Sequence, residues 1–237
     1  MHQNTLDTPV ARPAQARIDL YGAIHKALRA LMADTLLAVG RMDTDDALAL
    51  ADGTQRVQQL LEFCQNHLQH ENAHVHPALE ARASGSAAAI AQEHHAHEDA
   101  IASLADQATA LLRCPPAQRA ARAHALYQQL ALFVAHNFQH MHVEETAHNA
   151  VLWAHYDDAA LLAIHDALVA AIPPAEMLFT LRWMVPALPP AERVALLADM
   201  QAHAPAPAFA AALDTVRPHL PAGDWAALSA RLGLSAT

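Results

Sequence analysis

The chain has 237 residues, 54% of them hydrophobic but only 5% aromatic, with six glycines and a formal net charge of -10. Alanine and leucine dominate, which points to an all-α fold with room for a sizeable core. The acidic balance argues against nucleic acid or an anionic membrane surface as a partner, since both select a basic face. Lys26 is the only lysine, and Cys64 and Cys114 are the only cysteines. Two cysteines build no disulfide framework, which points to a reducing cytoplasm. The outlier is histidine, with 18 residues.

Residues 1–16 read as a flexible tail with no apolar stretch of a secretory leader. No run approaches the ~18 apolar residues of a membrane span. From Ile18, apolar residues recur at Tyr21, Leu28, Met32, Leu36 and Val39, which predicts a first helix ending at Gly40. "DGT" at residues 52–54 predicts the start of a second helix with Thr54 as its cap. Its stripe runs through Val57, Leu60, Leu61, Cys64 and Leu68, and Pro77 is expected to disturb its end. Ser86 predicts the cap of a third helix running to about Leu112. "CPP" at 114–116 separates it from a fourth, which reaches about Tyr156. Residues 157–237 hold nine of the 14 prolines. They predict a smaller C-terminal region of short helices, a candidate surface for a partner protein or a second copy of the chain. The expected architecture is an up-down-up-down four-helix bundle over residues 17–156, followed by that region.

The bundle contains an internal repeat. "LLEFCQNHLQHENAHVHPAL" (60–79) lies over "FVAHNFQHMHVEETAHNAVL" (133–152) at an offset of 73. His67 then meets His140, and Glu71 meets Glu144. Each pair is a His-x-x-x-Glu, about one helical turn, so both side chains project from the same face. At an offset of 69, Ile18, Tyr21, His25, Leu28 and Met32 meet Ala87, Ile90, His94, His97 and Ile101. His25 and His94 thus share one slot in otherwise apolar stripes. Counting along antiparallel helices puts His25, His67 and His94 at one height. The fourth leg, to His140, is longer and predicts either a longer loop or a helix start near residue 121.

Four imidazoles and two carboxylates meeting inside a bundle point to metal, because buried charge must be paired or coordinated. Two glutamates can bridge two divalent cations. Imidazole with carboxylate suits iron, with zinc and manganese as the alternatives. The absence of cysteine from the set argues against a structural zinc site.

A lone helical His followed by a helix with His-x-x-x-Glu, occurring twice, resembles the hemerythrin-like, or HHE cation-binding, family over about residues 17–156. The resemblance implies a four-helix bundle holding two iron ions. Carried over by position, the ligands are His25, His67, Glu71, His94, His140 and Glu144, with both glutamates bridging. Oxygen-carrying members have a His-x-x-x-His on the third helix, whereas Glu98 stands four residues after His94 here. His97, on the same face, is the candidate for a fifth imidazole. The departure points away from simple oxygen transport. The set looks more like the family's proteins for iron-centre repair, nitric oxide response and iron or oxygen sensing, and a sensor or store of oxygen or iron that binds dioxygen or nitric oxide is the first reading. An enzyme that donates iron for repair, or that reduces nitric oxide or peroxide, is the alternative. A purely structural module is a third reading. A ferritin-like site, using Glu71 with His74 and Glu145 with His148, is a further one, but it requires a glutamate that the first helix lacks. Glu145 reads as solvated. His70, His74, His76, His95, His124, His136, His142 and His148 read as surface or outer residues.

Overall fold

A computed structural model of the chain describes residues 17–234. All regular structure among them is helical. Helix α1 (Gly22–Gly40) follows a turn in which Asp19 accepts the backbone N–H groups of Tyr21 and Gly22. Helix α2 (Ala47–His70) passes through one π turn (Glu71–Val75) into α3 (His76–Arg82). Helix α4 spans Ala88–Arg113. Helix α5 (Pro116–Val143) passes through a second π turn (Glu144–His148) into α6 (Asn149–His155). Both π turns begin at the glutamate of a His-x-x-x-Glu, so they repeat at the same offset of 73 as the sequence.

Helix α1 packs on α2 and α5, and α4 packs on the same two, so the four long helices close a ring. Each apolar stripe faces the middle, where Leu28, Met32, Leu60, Leu104, Leu126 and Leu130 share one core. His25 lies near the start of α1 and His94 near the start of α4, whereas His67 and His140 lie at the ends of α2 and α5. All four meet at one level, so neighbouring helices run in opposite directions.

Three expected boundaries differ. Helix α2 starts at Ala47, because Asp46 caps it by accepting the Leu48 N–H at 2.8 Å. Thr54 lies inside the helix, and its hydroxyl donates back to the Leu50 carbonyl at 2.8 Å, a second habit of short polar side chains. Gly53 is there for close approach: a Cβ would meet the Met42 sulfur at 2.5 Å. Ala87, not Ser86, stands at the N-cap of α4, with no side-chain cap bond. Helix α5 begins at once with Pro116 in its first turn, a position that needs no N–H, so the start near residue 121 is not used.

Beyond the bundle run α7 (Asp158–Ala171), α8 (Pro174–Ala187), α9 (Pro190–His203), α10 (Ala206–Val216) and α11 (Ala222–Arg231). Prolines start several of them, which is why the stretch breaks into short pieces. Leu181, Val185, Leu197 and Val216 form a core of their own. Helix α8 also turns Phe179, Trp183 and Met184 onto the bundle core. His70 meets Glu176 at 2.8 Å and Lys26 meets Glu192 at 2.7 Å. Among the described residues no single helix is long and apolar enough to cross a membrane. The tail at 1–16 lies outside the described residues.

Candidate metal centre

The structure brings His25, His67, Glu71, His94, His140 and Glu144 into one cluster, all buried except the partly exposed His67. They fall into two groups that share both glutamates. In each group the donor atoms lie within 4.8 Å of one another. The first holds His25 and His67, the second His94 and His140.

The carboxylates divide their oxygens between the groups. Glu71 turns Oε1 to His67 Nε2 at 3.1 Å and to His25 Nε2 at 3.7 Å, and Oε2 to His94 Nε2 at 3.6 Å. Glu144 turns Oε2 to His25 Nε2 at 3.5 Å, and Oε1 to His140 Nε2 at 3.3 Å and His94 Nε2 at 3.8 Å.

Three of the imidazoles are held from outside through the other ring nitrogen. His25 Nδ1 lies 3.0 Å from Glu145 Oε1, His94 Nδ1 2.8 Å from Asn72 Oδ1, and His140 Nδ1 2.9 Å from Glu93 Oε2. Each partner atom is an acceptor, which assigns the ring proton to Nδ1 and leaves the Nε2 lone pair facing inward. Arg29 holds Glu145 in turn, at 2.5 and 3.1 Å.

This arrangement fits a cation. With Nδ1 protonated on both rings, His94 and His140 direct two lone pairs at each other across 3.0 Å. Nothing but a proton or a metal ion reconciles them. Among the described residues, both oxygens of Glu71 and of Glu144, and the Nε2 atoms of His25 and His67, are buried without a hydrogen-bond partner. Buried groups of this kind are rare without a counter-ion. Burial pushes Glu71 towards protonation, but His67 and His25 beside it hold it well below the usual carboxylate range. Burial acts against a charged His25, yet Glu145, Glu71 and Glu144 raise it to about 9. The cluster therefore attracts positive charge.

His97 is not among them. It is buried at the bottom of a groove of about 440 Å³ between α4 and α5, beside Leu104, Phe133 and His140. Its ring stands edge-on to His140, with centroids 4.8 Å apart. Burial, then His140 and His94, lower it to about 4, so it is neutral near pH 7. It holds the position of Leu28 in the other half of the repeat, and like Leu28 it is buried.

Glu145 overturns an expectation. It is not solvated but partly buried, accepting from His25 and Arg29. Burial pushes it up, but those two partners bring it down to about 2. His76 and His148, expected at the surface or as outer groups, are both buried beside Glu144. The fifth residue after Glu71 lies about 140° round an α-helix from it. The wider π turn brings His76 back over Glu71, and helical counting cannot show that. Asn72 and Glu93 carry no signal in the sequence beyond standing next to Glu71 and His94, and the sequence places Tyr21 only as a core residue of the first stripe. His74 is half-buried and His136 exposed along the groove, and neither joins a metal-ligating group.

The family model of the hemerythrin HHE cation-binding domain matches residues 17–152. That is more than half of the chain, and the chain belongs to this family. Neither a curated protein nor a solved structure matches the chain significantly.

Proposed function

We propose that the chain holds two iron ions between Glu71 and Glu144 and binds a small diatomic ligand, dioxygen or nitric oxide. The role proposed is that of a sensor or store rather than a transporter. The observation that carries this is the division of oxygens: each glutamate offers one to the His25–His67 side and one to the His94 side. Such a carboxylate neutralises and spaces two cations at once. Iron is preferred to zinc and manganese because the donors are imidazole and carboxylate in numbers that suit higher coordination. When bound, the pair supplies a change of oxidation state and an open coordination position.

The protein's own part is to orient and to exclude. Glu145, Asn72 and Glu93 fix the tautomers of His25, His94 and His140. Leu68, Val75 and Met141 are buried in the same helices and limit water. The groove beside Phe133 and Leu104 leads towards His97 and His140 and is wide enough for a diatomic molecule. An enzyme that exchanges electrons through a thiol is disfavoured: Cys64 is buried in the core, and burial pushes its thiol far up. The His70–Glu176 and Lys26–Glu192 contacts tie α8 and α9 to the helices that carry His67 and His25. On this reading residues 157–237 carry the signal to a partner protein or a second copy. Two unpaired cysteines suit a cytoplasmic home.

The test is the optical spectrum of the reduced, iron-loaded protein before and after exposure to dioxygen and, separately, to nitric oxide. A new visible band with one of them supports the reading. A spectrum unchanged by both overturns it.

A further inference from the structure

His76 follows the first π turn, His148 is the last residue of the second, and both lie beside the same carboxylate. Both are buried, and the Nε2 of each has no hydrogen-bond partner among the described residues. With an oxygen of Glu144, their ring nitrogens form a third group whose donor atoms lie within 4.8 Å of one another. Neither histidine belongs to the two groups already described. His76 stacks flat on His94, with centroids 4.8 Å apart and 22° between the planes. It therefore stands beside the His94–His140 position, not in it. His148 is set nearly at right angles to His76, at 89°.

The Tyr21 hydroxyl lies 3.2 Å from His148 Nδ1. With Nδ1 engaged by Tyr21, Nε2 is the ring nitrogen left to serve Glu144's group. Like Asn72 and Glu93, Tyr21 holds its histidine ring from outside, although a hydroxyl can donate as well as accept. Two buried, unpartnered ring nitrogens on histidines grouped with one carboxylate call for a shared partner.

We propose that His76, His148 and Glu144 form a third cation position, which takes one divalent ion of borderline character such as Fe²⁺, Co²⁺ or Zn²⁺. Two imidazoles and one carboxylate are a donor set that binds such ions and leaves a place for solvent. Glu144 is shared with the pair, and neighbouring dications repel, so this position fills last and most weakly.

The test is equilibrium dialysis of the metal-free full chain against a series of free Co²⁺ concentrations, with cobalt counted per chain by elemental analysis. The expected count of three rests on the two-metal reading above. The wild type should bind two ions tightly and one more at higher concentration. The His76→Gln/His148→Gln double variant should bind one fewer, with unchanged helical circular dichroism. Tyr21→Phe should keep the count and weaken the last ion alone, about 10–100-fold. A wild type that saturates at two, matched by the double variant, overturns the third position and leaves the pair standing. A wild type that saturates at one ion, lost in the double variant, overturns the pair and leaves this position standing. If the double variant does not fold, Tyr21→Phe decides: a weaker last ion supports the position, and an unchanged isotherm overturns it.

Discussion

The Nε2 atoms of His94 and His140 lie 3.0 Å apart, while Asn72 and Glu93 hold the opposite nitrogen of each ring. The outer contacts thus force two lone pairs together that would repel without an ion between them. Asn72→Ala and Glu93→Ala should each release one ring and lower metal affinity about 10–100-fold. The helical circular dichroism should not change. A competition titration with a chelator measures this, and unchanged affinity in both variants would show that the outer contacts do not set the tautomers.

Removing either shared carboxylate should be worse. Glu71→Ala or Glu144→Ala takes a donor from both groups at once and should cost most of the bound metal. Glu145→Ala should fall between these and the wild type, because Glu145 acts through His25 and Arg29. Metal content of the three purified variants gives the order. If Glu145→Ala matched the wild type, the His25–Glu145 contact would have no bearing on the centre.

The helix α4 histidines offer a sharper separation. His94→Ala should lose metal strongly, while the exposed His95 should be replaceable without effect. His97→Ala should keep the metal count, since His97 packs beside His140 without joining either group. It should instead alter ligand entry, because it forms the bottom of the groove. Loss of metal on His97→Ala would make it a fifth imidazole and reopen reversible oxygen binding.

These separations show what was legible in the sequence. The His-x-x-x-Glu repeat and the shared slot of His25 and His94 pick out six side chains that the fold gathers into one cluster, because both rest on one helical turn. Helical counting also prefers His94 to His97. What it cannot show is a change of helical pitch, and the π turns at Glu71–Val75 and Glu144–His148 are such changes. Pro77 hints at the first, since it has no N–H for an α-helical bond. The second has no proline and no local sign. Glu145 was misplaced for another reason: its partners, His25 and Arg29, come from α1, over a hundred positions away. The start of α2 was misplaced because Asp46 and Thr54 are both good caps, and the contact of Gly53 with Met42 is tertiary.

Acid should loosen the turn between α3 and α4. Glu80 accepts the N–H groups of Gly85 and Ala87 at 2.7 and 2.9 Å, and these bonds lower its pKa. A carboxylate with a depressed folded-state pKa stabilises above its ordinary value, near 4.5, and loses that effect as pH falls through the depressed one. Hydrogen exchange at Gly85 and Ala87, corrected for intrinsic rates, should therefore show protection that fades as pH drops below that range. In Glu80→Gln the protection should be lower and insensitive to pH there. A wild-type profile as flat as the variant's would contradict the assignment.

Core packing sets the scale of stability. Leu126 is fully buried in the bundle core, and Leu126→Ala should cost about 2–5 kcal/mol. Metal should offset part of such a loss, because a ligand of the folded state alone raises the melting temperature. Thermal unfolding with and without metal measures both, and a melting temperature that metal does not move would argue against binding to the folded state.

The most direct measurement is the metal itself. Protein produced with ample iron, purified and analysed for elements, should carry about two tightly held irons per chain, because two divided carboxylates imply a pair of ions. Its oxidised form should show the absorption of an oxo-bridged diferric pair. A protein that carries no iron under those conditions, or a single zinc, would contradict the two-iron centre.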